Sequence, residues 1–145
     1  MIASSAGSVW TTSPIADVDV LAIALRLPAA VISARVTKRV DEQFERGLLD
    51  EIRGLLGRGV PETARPFGGL VYRQALEHLH GVRDEAATRA LIAQENRRYA
   101  RRQLIWFRKE PNLQWFVGPG ESPSTIAAAS RLLDERLNAI DPSPR

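Results

Sequence analysis

Near its start the chain carries one segment that is typical of a buried β-strand, and most of the later sequence has the periodicity of helices. Val18 to Leu27 (VDVLAIALRL) is apolar, partly β-branched and ends before Pro28. A strand cannot stand alone, because its backbone groups must pair with a neighbouring strand. We therefore expect this strand to be the remnant of a sheet whose other strands lie upstream of the chain.

Glycine and proline divide the remaining sequence into five predicted helices. In the first helix the apolar residues Ile32, Val36, Val40 and Phe44 recur every four positions, which is the spacing of one helix face. The predicted helices cover Ala29 to Arg46, Leu48 to Leu56, Leu70 to His80, Asp84 to Lys109, and a last segment capped by Ser122 or Ser124. Thr63 to Gly69 is predicted to be a loop, and Leu113 to Phe116 a short extended piece. The fold class is therefore mainly α, with one remnant strand followed by about five helices.

Composition excludes several classes of protein and site. A length of 145 residues with 44% hydrophobic residues is enough for one domain with a core. The chain has no cysteine, which excludes disulfides and thiol catalysis. Its two histidines, His78 and His80, are predicted to lie on the surface and not to bind a metal. No apolar stretch reaches the roughly 20 residues of a membrane span, and no secretory signal is recognisable, so we expect a cytoplasmic protein without a membrane partner.

The distribution of positive charge is the strongest local signal. The segment from Arg97 to Lys109 (RRYARRQLIWFRK) contains six cations and no anion, although the whole chain carries only +3. On a helix these cations fall within an arc of about 140°. Arginines grip phosphates with two hydrogen bonds, so this arc indicates a polyanion such as nucleic acid. The alternative is a solvated arginine face on a core helix.

The aromatic residues of this segment lie away from the cations. Tyr99, Trp106 and Phe107 are therefore predicted to belong to the core and not to stack on bases.

Two further groups of residues could bind anions. Arg35 and Arg39 lie one helical turn apart and could hold a diphosphate, or they could pair with the nearby acids Asp41, Glu42 and Glu45. In the segment RPFGGLVYRQ, Gly68 and Gly69 precede a helix, where open backbone N–H groups attract anions. The alternative for that segment is a simple turn. The chain contains no Gly-x4-Gly-Lys-Ser/Thr phosphate loop.

Three segments, in this order and at these intervals, resemble the C-terminal part of the tRNA dimethylallyltransferases, also called tRNA isopentenyltransferases. They are Arg35 to Ile52 (RVTKRVDEQFERGLLDEI), Tyr72 to Gly81 (YRQALEHLHG) and Asn96 to Lys109 (NRRYARRQLIWFRK). The resemblance assigns residues 18–116 to the C-terminal region of the enzyme. The small and polar residues without periodicity before it predict a disordered lead-in (1–17), and the sequence after it predicts a terminal helix with a tail (117–145).

The resemblance implies a fold and a reaction. Enzymes of this family transfer a dimethylallyl group from dimethylallyl diphosphate to N6 of adenosine 37 in tRNAs that read codons beginning with U. They use Mg²⁺, and their core is similar to the P-loop kinases, so this chain is expected to be the C-terminal portion of such an α/β enzyme. Its expected partners are tRNA and dimethylallyl diphosphate, and it is expected to be a monomer.

The resemblance also implies residue roles. Arg35 and Arg39 are expected to face the diphosphate. The residues expected to contact tRNA are Gly68, Gly69, Tyr72, Arg73, Gln74, Arg97, Arg101, Arg102, Gln103, Trp106 and Arg108. No catalytic residue and no metal ligand is expected in this chain.

The chain departs from the family pattern at two points. Val71 stands where the family has a glycine before the Tyr-Arg pair. The family's phosphate loop, the aspartate that serves as general base and the inserted tRNA-clasping domain are absent from these 145 residues. We therefore expect a truncated product or a piece of a longer enzyme, inactive by itself. The alternatives are a stand-alone RNA-binding module and a non-functional remnant.

Overall fold

The computed structural model describes residues 20–140. The predicted lead-in (1–17), the first residues of the predicted strand and the tail after residue 140 lie outside the described residues. The elements are β1 (Ala22–Arg26), α1 (Ala29–Glu45), α2 (Leu48–Gly57), a 3-10 turn (Arg65–Gly68), α3 (Leu70–Leu79), α4 (Glu85–Phe107), β2 (Leu113–Val117) and α5 (Pro123–Ile140). The prediction of a mainly helical chain with five helices is confirmed. Within residues 20–140, every helix is too short or too polar to cross a bilayer.

The chain divides into two compact units. The helical unit comprises Pro28–Gln103, and the strand unit comprises the described residues within Met1–Leu27 and Leu104–Arg145. In sequence, α4 runs from the first unit into the second.

The four helices α1, α2, α3 and α4 share one core in the helical unit. Its buried apolar side chains come from every helix and from the 3-10 turn: Val40, Phe44, Leu48, Ile52, Phe67, Ala75, Ile92 and Ala93. The four-residue spacing predicted for α1 is confirmed, because Val40 and Phe44 are buried and Val36 packs against them.

Local chain geometry explains where the helices begin and end. Gly47 separates α1 from α2 in the left-handed conformation, with φ of 91°, which glycine adopts at little cost. Asp84 caps α4, since its carboxylate accepts the Ala87 N–H at 2.7 Å. The predicted boundaries of α1, α2 and α3 differ from the observed ones by one residue.

The strand unit contains a parallel pair of strands. β1 pairs with β2 in a register that runs from Ala22 opposite Leu113 to Arg26 opposite Val117. The sequence predicts the partners of this strand upstream of the chain. The structure shows a partner downstream instead, because β2 (Leu113–Val117) pairs with β1. The reason for the difference is that parallel pairing needs a long crossover connection, which leaves no local pattern in the sequence.

The turn between β2 and α5 shows which serine caps the last helix. The sequence alone allows Ser122 or Ser124. Ser122 is the cap, because its hydroxyl accepts the Thr125 N–H at 3.1 Å. Gly118 lies next to this cap with φ of 145°, and a Cβ there would come within 2.7 Å of the Thr125 hydroxyl.

Candidate nucleic-acid interface

Four arginines of α4 form a solvent-facing group that we call the arginine patch: Arg97, Arg98, Arg101 and Arg102. Arg97 is half-buried and the other three are exposed. Within residues 20–140, none of the four forms an ion pair or a side-chain hydrogen bond. Five other arginines of the helical unit pair with carboxylates, whereas three have no ion pair within residues 20–140. The paired ones are Arg46, Arg53, Arg73, Arg83 and Arg89, and the unpaired ones are Arg39, Arg58 and Arg65. The patch is therefore a set of cations that the described part of the fold does not neutralise.

The predicted cation arc is shorter than expected. α4 ends at Phe107, two residues before the predicted end at Lys109. Arg108 and Lys109 lie in the following turn and are exposed, and the Lys109 N–H donates to the Trp106 carbonyl at 3.0 Å. Pro111 disfavours the helical conformation in Glu110, which limits how far the helix could extend.

The prediction that the aromatic residues of this segment belong to the core is wrong. Tyr99 is 51% exposed, Trp106 56% and Phe107 38%. Trp106 packs edge-on against Phe107, with ring centroids 4.9 Å apart. Gln103 is also exposed. A side opposite the cations becomes core only where another element covers it, and the last buried residue of α4 is Ala93.

Tyr72 is held at the start of α3 by a carboxylate of α2. Its hydroxyl donates to Glu51 Oε1 at 2.6 Å, and its ring packs edge-on against the buried Phe67. The hydrogen bond to Glu51, together with burial and the negative charge of Glu51, raises the pKa of Tyr72 above its ordinary value. Tyr72 is therefore a neutral hydroxyl at physiological pH.

The two glycines before α3 are less open than the sequence indicated. The Gly69 N–H donates to the Pro66 carbonyl at 3.0 Å, so the expectation of an open N–H group is wrong for Gly69. A Cβ at Gly69 would lie 3.1 Å from the same carbonyl oxygen, whereas a Cβ at Gly68 would meet nothing within 4 Å.

Arg73 and Gln74 are neighbours in sequence but differ in environment. Arg73 is exposed, and its Nη2 lies 3.6 Å from Glu95 Oε2. Gln74 is only 5% exposed; its amide donates to Glu95 Oε2 at 3.2 Å and accepts from Arg83 Nη1 at 2.8 Å. Both ends of the Gln74 amide are therefore used inside the fold, which leaves Arg73 as the member of the pair that faces solvent.

Arg35 and Arg39 are both exposed on α1. Of the acids considered as their partners, Asp41 pairs with Arg89 and Glu42 pairs with Lys38 and Arg46. Among residues 20–140, Arg39 has no ion pair.

The histidines contact other protein groups. His78 Nδ1 lies 2.8 Å from the Arg83 carbonyl oxygen, and His80 Nε2 lies 3.0 Å from Glu62 Oε1. In the described part of the chain, no group of three or more histidine or acidic side chains could hold a metal ion.

Comparison with known proteins decides the family. A family model described as IPP transferase matches residues 3–110. The chain belongs to the IPP transferase family. The match includes all of α1 to α4, and it begins before Val18, the first residue of the predicted C-terminal region of the enzyme.

Relatives in the IPP transferase family are longer proteins. The chain is 44% identical over 123 residues to the tRNA dimethylallyltransferase of Syntrophobacter fumaroxidans, covering 83% of this chain and 34% of that one. It is 38% identical over 112 residues to tRNA dimethylallyltransferase 1 of Trichlorobacter lovleyi, covering 77% of this chain and 37% of that one. The chain thus spans little more than a third of the length of these relatives.

A solved structure of the family has the same fold. The full-length tRNA isopentenylpyrophosphate transferase of Bacillus halodurans superposes with a TM-score of 0.77 at 28% identity, over 89% of this chain and 42% of that chain. The expected family fold is confirmed.

Proposed function

We propose that this chain is the C-terminal portion of a tRNA dimethylallyltransferase and that the arginine patch contacts tRNA phosphates. The full enzyme would transfer a dimethylallyl group from dimethylallyl diphosphate to N6 of adenosine 37 in tRNAs reading codons that begin with U. The observation that carries the proposal is the concentration of four arginines within six residues of α4, none of which has an ion pair among residues 20–140.

The chemistry of the patch supports an RNA backbone as its partner. Like charges one turn apart, such as Arg97 and Arg101, destabilise a helix modestly, and a phosphate between them removes that cost. Gln103, Trp106 and Arg108 are exposed as well and complete the proposed tRNA contacts on this part of the chain. From the start of α3 the proposed contacts are Gly68, Gly69, Tyr72 and Arg73.

Salt-dependent binding tests the patch. Affinity for an unmodified tRNA transcript is measured over a salt series for the parent chain and for Arg101→Ala/Arg102→Ala. The variant should bind more weakly, and the slope of log affinity against log salt should flatten by up to about two units. The matched control is Arg46→Ala/Arg53→Ala, which removes the same charge from arginines that pair with Glu42 and Asp50. Equal slopes in both double variants would contradict the proposal.

We also propose that Arg35 and Arg39 bind the diphosphate of the donor. The support is their one-turn spacing on α1 and the lack of an ion pair for Arg39 within residues 20–140. The test uses a chimaera in which this chain replaces the matching segment of the Bacillus halodurans enzyme. There Arg39→Ala should raise the KM for the donor or lower kcat, at a cost of about 2–4 kcal/mol. Arg46→Ala is the control, and unchanged kinetics for Arg39→Ala would refute the role.

The 145-residue chain by itself is expected to bind tRNA without modifying it, because it contains no phosphate loop. Incubation with dimethylallyl diphosphate, Mg²⁺ and tRNA checks this, and turnover above background would contradict it. Among the described residues no group of three or more histidine or acidic side chains could hold a metal ion, and we assign no step to Mg²⁺. We further propose that the protein acts as a monomer in the cytoplasm.

A further inference from the structure

A half-buried carboxylate, Glu95 of α4, lies between a buried amide and an exposed arginine. Glu95 Oε2 accepts a hydrogen bond from Gln74 Nε2 at 3.2 Å, and the same oxygen lies 3.6 Å from Arg73 Nη2. The Glu95 side chain thus joins the interior of the helical unit to a cation on its surface.

Gln74 holds Glu95 in place because it is itself fully engaged. Its amide nitrogen donates a hydrogen bond to the carboxylate of Glu95, and its amide oxygen accepts one from the guanidinium of Arg83. Arg83 is held in turn by Glu77, and the Arg83 carbonyl by His78. An amide side chain can donate to a carboxylate with its nitrogen while its oxygen accepts from a guanidinium. The position of Glu95 is therefore set from the interior and not by solvent.

The place of Glu95 on α4 relates Arg73 to the arginine patch. At 3.6 residues per turn, Glu95 lies within about 60° of Arg98 and Arg102 around the helix axis. An arginine of α3 that is drawn to Glu95 is consequently brought to the side of α4 that carries Arg98 and Arg102. Two helices contribute to one positively charged surface.

We propose that Glu95 is a positioning residue for RNA binding: it holds Arg73 beside Arg98 and Arg102, so that the three arginines engage one stretch of RNA backbone. This inference rests on the proposed function. Within it, Gln74 supports Glu95 from the interior and does not itself contact RNA.

The proposal predicts an effect opposite in sign to simple electrostatics. Glu95 is an anion next to a surface that binds phosphates, so removing its charge should strengthen RNA binding if charge alone mattered. If Glu95 positions Arg73, removing its charge should weaken binding. A neutral amide at this position keeps nearly the same shape and can still accept the hydrogen bond from Gln74.

The experiment compares Glu95→Gln with Glu45→Gln on the same tRNA transcript over a salt series. Glu45→Gln removes the same charge from an exposed residue at the end of α1. We expect Glu95→Gln to weaken binding by about three- to tenfold and to flatten the salt slope by up to about one unit. Glu45→Gln should leave affinity unchanged or slightly raised. Tighter or unchanged binding by Glu95→Gln would overturn the proposal.

If Glu95→Gln also lowers the melting temperature, a second variant is needed to separate a loss of positioning from a loss of stability. Arg73→Ala leaves the Gln74–Glu95 hydrogen bond intact, and it should show the same loss of affinity and slope at an unchanged melting temperature. In the Arg73→Ala background, Glu95→Gln should cause no further loss. Normal binding by Arg73→Ala, or additive losses in the double variant, would overturn the proposal. If the parent chain shows no salt-dependent tRNA binding, the proposed function itself fails, and this inference fails with it.

Discussion

The first half of α4 and the arginine patch that comes after it use the same residue type in opposite ways. In the first half, the Arg89 guanidinium lies over the ring of Phe44 at 4.3 Å and bonds to carboxylates of Glu85 and Asp41 at 2.6 and 3.2 Å. In the arginine patch, Arg98, Arg101 and Arg102 are exposed and form no ion pair within residues 20–140. One continuous helix therefore carries an arginine that holds the fold together and arginines that remain available to a partner.

The difference arises from what packs against each part of the helix. The first half of α4 contains its three buried residues, Thr88, Ile92 and Ala93. The residues of α4 after Ala93 are exposed or half-buried. The half-buried Arg89 is held against α1 by its contact with Phe44 and its ion pair with Asp41, and this pairing contributes to stability. Exposed arginines contribute little to folding, so the stability of the fold does not account for their number in the patch.

The largest expected effect concerns the core of the first half. Ile92 is fully buried, and Ile92→Ala should lower the free energy of unfolding by about 2–5 kcal/mol through lost burial and a residual cavity. Ile105→Ala makes the same substitution later in the same helix, where the side chain is 48% exposed, and should cost well under half as much. Urea unfolding of both variants measures the difference, and equal losses would remove the contrast between the two parts of α4.

A smaller effect is expected at Arg89. Arg89→Ala removes the contact with Phe44 and the bonds to Glu85 and Asp41, and should destabilise the protein by about 1–2 kcal/mol with tRNA affinity nearly unchanged. Arg98→Ala, its matched control, should show the reverse, with weaker tRNA binding and unchanged unfolding. The two roles would not be separable if both variants lost stability and affinity together.

The next largest expected loss of stability is that of Trp106→Ala. Since its ring is 56% exposed and packs mainly against Phe107, Trp106→Ala should cost about 0.5–1 kcal/mol of unfolding free energy. A buried tryptophan would cost about 3–5 kcal/mol. A loss of that larger size in denaturant unfolding would show that the ring is covered in solution.

The smallest effect on stability is expected in the arginine patch. Arg101→Ala/Arg102→Ala should change the unfolding free energy by no more than about 0.5 kcal/mol, because exposed cations are removed and repulsion within the helix is relieved. Thermal melting of this variant beside the parent tests the expectation. A marked drop in melting temperature would mean that these arginines pair inside the fold.

The sequence alone determined the local structure and the family. Helix periodicity identified all five helices and the buried face of α1, because that signal depends on residues three and four apart. Gly47 and Pro28 marked helix boundaries through backbone constraints that belong to the residue itself. The motif around Arg101 and Trp106 indicated the family through residue types and spacing, which need no tertiary information.

Only the tertiary structure decided which of these residues have partners. The pairing of β1 with β2, the bridge from Gln74 through Glu95 to Arg73, and the contact of Arg89 with Phe44 all join residues far apart in the sequence. Periodicity assigns a side chain to a face of its helix but does not say whether another element covers that face. For this reason Gln74, which belongs to a motif expected to contact tRNA, is buried, whereas Trp106, expected in the core, is exposed.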